Sequence, residues 1–195
     1  MLQQGGLWQC FRKFPAKDTA DPDSQPPMII VSLHGNDIFS PHPALALKDR
    51  TALFASGLDL LKRFSNHIVV TARKSALPRL GKLAAHVTHT VSDTYPSWNP
   101  GVVLYQLKTS VADNRSWCIS AEHLMLMVQF LTTGQYPVQR VVTVTRGTDK
   151  KPHVLTRQGA PVAAVIGRME ENTLITTGLF NGRSVPPDTH LGFFD

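Results

Sequence analysis

Trp117–Arg146, WCISAEHLMLMVQFLTTGQYPVQRVVTVTR, decides how the rest of the chain is read. It reads as a short strand, a capped helix, a tight turn and a second strand. Ser120 suits the helix N-cap, and Glu122 the positive end of the helix dipole. Leu124, Met125, Leu126, Met127, Val128, Phe130 and Leu131 make the helix apolar nearly all round, which predicts burial rather than an amphipathic surface position. Gly134 stands where a left-handed C-terminal residue belongs. Arg140–Thr145 is short and rich in β-branched residues, which predicts a strand. A helix this apolar needs cover on several sides, and a sheet with flanking elements supplies it. On pattern alone the stretch is a core βαβ unit.

Working outward, Met28–Leu33 (MIIVSL) is a continuous apolar run that fits a buried parallel strand. His34-Gly35-Asn36-Asp37 is the turn after it, and Pro43 is placed to start a helix. Thr51–Phe64 carries Leu53, Phe54, Leu58, Leu60, Leu61 and Phe64 at helical spacing. His67–Thr71 predicts a strand, Leu77–Ala85 a short helix and Val87–Val91 a further strand. Strands alternating with helices argue for a Rossmann-like α/β layer. Beyond Lys151-Pro152 the segments His153–Thr156, Ala163–Ile166 and Thr173–Thr176 are short and separated by glycine turns, which predicts a small β-containing module. Before the layer, Asp18–Pro27 is polar and proline-rich and reads as a linker. Trp8, Phe11 and Phe14 are spaced to share one side of a short helix that Pro15 ends. The first residues therefore read as an appendage.

The totals fit a folded protein of one or two domains: 195 residues, 42% hydrophobic and 17% charged. The longest strongly apolar run, Leu124–Val128, is too short to span a bilayer, and Met1–Phe14 has no continuous apolar signal segment. Two cysteines, Cys10 and Cys118, make neither a disulfide framework nor a metal pair, which suits a reducing cytoplasm. The net charge is +6. The cations are scattered apart from Arg146, Lys150 and Lys151, diluted by Asp149, and a group at Arg73, Lys74, Arg79 and Lys82. Neither lies in a nucleic-acid motif, so solvated loops or an anionic partner surface are the readings left, and no nucleic-acid partner is expected.

No catalytic or metal-binding residue is assigned. The turn after the first core strand, Leu33-His34-Gly35-Asn36-Asp37-Ile38, lacks the glycine-rich loop that cradles a pyrophosphate. His86 and His89 straddle a helix-to-strand boundary, His34 and His42 flank a turn, and no zinc spacing exists. No GxSxG nucleophile motif is present. Cys118, beside the buried helix, reads as a packed thiol. Two aromatic places remain. In Tyr95-Pro96-Ser97-Trp98-Asn99-Pro100-Gly101 two large rings either line a pocket or cap the core, and capping is favoured. In Trp8, Phe11, Arg12, Phe14 and Lys17, rings stand beside cations, which suits a partner surface or a quinone, or simply a helix packed on the body.

Four stretches, in order and with similar gaps, resemble the A subunit of the Na+-translocating NADH:quinone reductase, a bacterial membrane-bound respiratory complex. Leu7-Trp8, Phe11-Arg12 and Pro15 are similar to its GLWxxFRxxPF segment. Thr132-Thr133-Gly134 with Arg140-Val141-Val142 resembles its central segment. Leu155–Ala160 (LTRQGA) is similar to RTRLGA, and Leu174–Gly182 (LITTGLFNG) to VISGSVLSG. After the N-terminal helix and linker read at 1–27, the resemblance implies an α/β fold: a Rossmann-like domain at 28–150 like that of the complex I flavin subunit, and a β-grasp (SLBB-like) module with tail at 151–195. It implies a peripheral subunit on the cytoplasmic face of the inner membrane, not catalytic alone. Its partners would be the other subunits, including one in the membrane, with ubiquinone near Phe11, Arg12, Phe14 and Lys17. The complex uses NADH, flavins, iron–sulfur centres and ubiquinone, and this chain is expected to bind no cofactor of its own. Relative to the family loop HPAGLxGTHIHFL, the stretch Tyr95–Leu107 keeps Pro96, Gly101 and Leu107 and replaces every histidine, so Tyr95, Pro96, Trp98, Gly101 and Tyr105 mark an altered site. The family pattern also has an N-terminal lipoyl-like domain and a C-terminal segment that this sequence does not match, as in a fragment, a split gene product or a divergent paralogue. The competing expectation is a stand-alone Rossmann-like flavin or NAD enzyme.

Overall fold

The computed structural model describes residues 1–34, 39–146, 152–169, 173–178 and 183–192. The expected turn at Gly35-Asn36-Asp37, the cluster residues Asp149, Lys150 and Lys151, and Leu179–Gly182 lie outside the described residues. The chain divides into a first unit, residues 1–34 and 42–137, and a second that carries Val138 onward.

The first unit begins with a 3-10 turn at Leu7–Cys10, then β1 (Arg12–Lys13), β2 (Asp18–Thr19) and β3 (Ile29–Ser32). α1 (Pro43–Ala46), α2 (Thr51–Leu61) and β4 (Ile68–Arg73) follow. Two 3-10 turns, Lys74–Arg79 and Gly81–His86, lead to β5 (His89–Val91), then α3 (Pro100–Leu107), β6 (Trp117–Ser120) and α4 (Ala121–Thr133). One sheet takes all six strands in the order β2-β1-β6-β3-β4-β5. β6, β3, β4 and β5 are parallel, and β1 joins β6 antiparallel. The unit is therefore mixed α/β with a largely parallel sheet.

Strand alternation sorts the core into two faces. Cys118, Ile30 and Val69 stand in register across β6, β3 and β4. They cluster with Phe14, Val91, Trp98, Val103 and Leu104, so α3 covers this face. The other face carries Trp117, whose ring packs 5.4 Å from Phe11 and 6.2 Å from Phe64. α2 and α4 pack closely together: a Cβ on Gly57 would fall 2.8 Å from the Leu124 side chain. All four residues of β3 are buried, as a strand covered on both faces requires. α4 starts at Ser120, whose Oγ accepts from the His123 N–H at 3.1 Å, and ends at Gly134 with φ 68°.

Three expectations are corrected here. The N-terminal segment is not a helix and linker. It is a 3-10 turn and a β-hairpin built into the sheet, because pairing with β6 satisfies backbone that a short isolated helix would leave exposed. Arg140–Thr145 does not close the parallel layer. β7 (Gln139–Thr143) pairs antiparallel with β8 (His153–Arg157) in the second unit, so the division falls near Pro137 instead of 150. Ala163–Ile166 is helical: α5 spans Val162–Ile166 and follows Pro161, as its alanines favour. The second unit adds β9 (Thr176–Thr177) paired antiparallel with β10 (Arg183–Ser184), and a bridge from Pro161 to His190. There Arg140 donates through Nη1 to the Gly192 carbonyl at 3.4 Å.

Among the described residues, no helix is long and apolar enough to cross a membrane.

Candidate functional site

In an open parallel sheet with helices on both faces, ligands meet the C-terminal strand ends where the strand order reverses. Here that place lies between β3 and β6. The chemistry of the sheet changes along the strands toward it. One row, Cys118–Ile30–Val69, is apolar. Two residues further, Ser120, Ser32, Thr71 and His89 stand in register across β6, β3, β4 and β5. Ser32 and Thr71 are buried, so their hydroxyls need partners within the protein. Thr71 Oγ1 donates to the Val31 carbonyl at 3.4 Å, and Ser32 Oγ donates to the His34 carbonyl. The His34 ring completes the group, with Nδ1 3.3 Å from Ser32 Oγ and Nε2 3.4 Å from Thr71 Oγ1. His34 is itself buried. An imidazole therefore fills the end of β3, where a pyrophosphate would need small residues and open backbone N–H groups.

Beside this row stands a second polar group. Arg73 closes β4 and is in register with Val91. Its guanidinium carbon lies 3.9 Å from the centroid of the Trp98 ring. Asp93 follows β5 and accepts from the Ser75 N–H at 3.1 Å and from the Ser75 hydroxyl. Tyr95 packs edge-on against Trp98 at 5.6 Å. Partial burial lowers the pKa of Arg73, and the Asp93 carboxylate opposes that shift.

The residues expected to border a quinone separate. Phe11 is fully buried among Trp8, Phe64 and Trp117. Phe14 is buried on the opposite, α3-covered face. Neither ring presents a flat face to a ligand, because both are consumed by core packing. Arg12 is half-buried and Lys17 exposed. Phe14 N–H donates to the Ser116 carbonyl, which places the Phe14–Lys17 turn beyond the N-terminal end of β6, away from the C-terminal edge.

The loop at Tyr95–Tyr105 is split between core and surface. Trp98 is buried, Pro96 is exposed, and Tyr95 and Tyr105 are 57% and 73% exposed. Asn99 caps α3 by accepting from the Gly101 N–H at 2.9 Å. Gly101 brings the two sequence-predicted groups together, since a Cβ there would lie 3.8 Å from the Phe14 ring. In the sequence Arg73 stands out only as part of a charge cluster. Its position in the row after Val69 and Thr71 was the available signal that it shares a face with Trp98.

The histidines do not converge. His42 Nδ1 accepts from the Ala44 N–H at 3.1 Å and caps α1, while His86 packs edge-on against Phe54 at 5.7 Å. No group of metal-ligating side chains occurs among the described residues. Cys118 is buried, and that burial pushes its thiol up to about 11 against the pull of Lys17 and Arg12.

The family described as "NqrA second alpha/beta domain" matches residues 1–136, nearly the whole run up to the boundary at Pro137. The chain is 29% identical to the A subunit of the Na(+)-translocating NADH-quinone reductase of Cellvibrio japonicus, over 93% of this chain and 42% of that protein. It is 28% identical to the same subunit of Saccharophagus degradans, over 99% of this chain and 44% of that one. It is 27% identical to that of Pseudomonas aeruginosa PAO1, over 94% and 42%. The chain thus spans less than half the length of these relatives. The match covers about two thirds of the chain and takes in the first unit, hairpin and sheet together, so the chain belongs to the NqrA second alpha/beta domain family.

Proposed function

We propose that this chain works within a Na+-translocating NADH:ubiquinone reductase, as one of its subunits. It sits on the cytoplasmic face of the complex, contributes to its assembly and borders its quinone region, and holds no redox cofactor of its own. The observation that carries this reading is the family match across the first unit. Its first unit is a Rossmann-like layer, a description supported by the parallel order β6-β3-β4-β5 with helices on both faces. Its second unit is a β-grasp module of the SLBB kind, supported by the β7–β8 pair followed by α5 and the β9–β10 pair. Its partners are the other subunits, one of them embedded in the membrane.

The quinone contact falls to the cations. With Phe11 and Phe14 in the core, Arg12 and Lys17 donate hydrogen bonds to a quinone carbonyl, and the rings hold the hairpin behind them. The imidazole packed at the end of β3 supports a role without flavin or nicotinamide.

The test has two arms. The purified chain should show no flavin bands in its visible spectrum, and co-expression with the remaining reductase subunits should bring it into the membrane fraction. Stoichiometric bound flavin would point to a stand-alone enzyme instead. Equal solubility with and without the other subunits would overturn the subunit role. Within the assembled complex, Arg12→Ala should lower quinone reductase activity and inhibitor affinity. Wild-type values for both would remove Arg12 from the quinone region.

A further inference from the structure

Arg73 is held in an unusual way for a surface cation. Its guanidinium rests 3.9 Å from the ring centroid of Trp98, a core residue 4% exposed. A guanidinium has five N–H donors, yet among the described residues Arg73 donates no hydrogen bond. Its Nε is shut off from solvent with no acceptor, while its Nη groups reach water. The neighbouring Asp93 carboxylate acts on it through its charge and makes no direct ion pair with it. Asp93 is occupied by Ser75, whose N–H donates to Oδ2 and whose hydroxyl donates to Oδ1. A fixed, partly desolvated cation is thus left with its edge outward. Tyr95 stands at the rim, 57% exposed and edge-on to Trp98.

We propose that Arg73, stacked on Trp98 and rimmed by Tyr95, is the anchor of a docking surface for an acidic side chain of a neighbouring protein subunit. This rests on the subunit reading above. Arg, Trp and Tyr are the residue types that dominate interface anchors. The stack fixes the guanidinium fork before a partner arrives, so less side-chain freedom is lost when a carboxylate takes two of its N–H groups. The sequence around it is more basic than acidic: Lys74, Arg79 and Lys82 follow Arg73, against the single carboxylate of Asp93, which Ser75 engages. A phosphate would also suit the charge, but the exposed tyrosine at the rim suits a polypeptide, which buries ring and charge together.

The experiment uses the full chain, tagged and co-expressed with the other reductase subunits, and measures how much of each co-purifies as salt is raised. Wild type, Arg73→Lys, Arg73→Ala and Tyr95→Ser are compared, each checked for folding by thermal unfolding. At ~150 mM salt, Arg73→Lys should retain about a tenth of wild-type capture, because lysine keeps the charge and loses the fork. Arg73→Ala should retain less, and Tyr95→Ser an intermediate amount. Equal capture by wild type and Arg73→Lys overturns the anchor and leaves the subunit reading intact. Wild type that captures none of the reductase subunits overturns the subunit reading, and the anchor with it. Should Arg73→Ala unfold by uncovering Trp98, a photoreactive benzoylphenylalanine at Tyr95 decides. Its crosslinked peptide should carry Asp or Glu within a few residues, and a crosslink to a peptide without carboxylates, or to lipid alone, overturns the proposal.

Discussion

Phe11 and Phe14, three residues apart, lie on opposite faces of one sheet. Phe11 packs 5.4 Å from Trp117, and Phe14 joins Val103, Leu104 and Cys118 beneath α3. An odd separation along an extended strand has that result. Both rings are structural, and the polar residues beside them are what the surface offers.

A clear separation of stability from function follows. Phe11→Ala should cost about 3–5 kcal/mol, as truncation of a fully buried aromatic does. Arg12→Ala should cost clearly less, about 1 kcal/mol, because the half-buried Arg12 side chain lies outside the aromatic core. Urea denaturation of the two variants measures this. Similar midpoints would mean that Phe11 is not the core residue its burial indicates.

Gly57 and Leu124 form a second testable pair. A methyl at Gly57 would meet the Leu124 side chain at 2.8 Å, and Leu124 is fully buried. Gly57→Ala should therefore destabilise by about 1–3 kcal/mol despite the better helix propensity of alanine. In the background of Leu124→Ala the same methyl fills space, so its cost should vanish or reverse. A double-mutant cycle reads the coupling directly, and strictly additive effects would argue against the close helix contact.

The Ser120 cap fixes where α4 begins. Its Oγ accepts from the His123 N–H at 3.1 Å. Ser120→Ala should cost about 1 kcal/mol, and Ser120→Asp should keep most of the stability by supplying another acceptor near the positive helix end. Thermal unfolding of the two variants is the check, and equal losses in both would mean the cap contributes nothing.

Cys118 gives the fold an alkaline limit. Burial raises its thiol from 9.0 to about 11. Below the lower value both folded and unfolded chains keep the proton, and stability is unaffected. Between the two values the unfolded chain has lost a proton that the folded chain retains, so stability falls as pH rises. Urea midpoints at ~pH 8 and ~pH 10.5 should diverge more for wild type than for Cys118→Ala. Parallel behaviour would assign the alkaline loss to other groups.

The parallel layer was legible because its strands carry their own signature. Met28–Leu33 is apolar on both sides, and Ser120 and Gly134 mark the ends of a helix with no exposed face. What could not be read was pairing. Arg12-Lys13 is too short to look like a strand, and it becomes one only against Trp117-Cys118. β-branched Arg140–Thr145 announces a strand but not which sheet takes it, and its partner is His153–Arg157. Aromatic spacing near the N-terminus fits a helical period, and two residues of sheet pairing overrule it. At the candidate site, the loop around Trp98 was visible as two rings in a turn. The cation resting on it was not, because Arg73 and Trp98 meet only after the strands align.

The hairpin at the sheet's edge also sets an order of events at the ribosome. Arg12 is made long before Cys118, the residue it pairs with, and sequence neighbours cannot complete the sheet for it. The parallel strands have to assemble before that edge can be sealed, so the first strand to leave the ribosome is among the last to dock. Until then β6 presents apolar Trp117-Cys118-Ile119 on an open margin. In the finished protein Phe11 and Phe14, packed on the two faces, hold β1 against that margin.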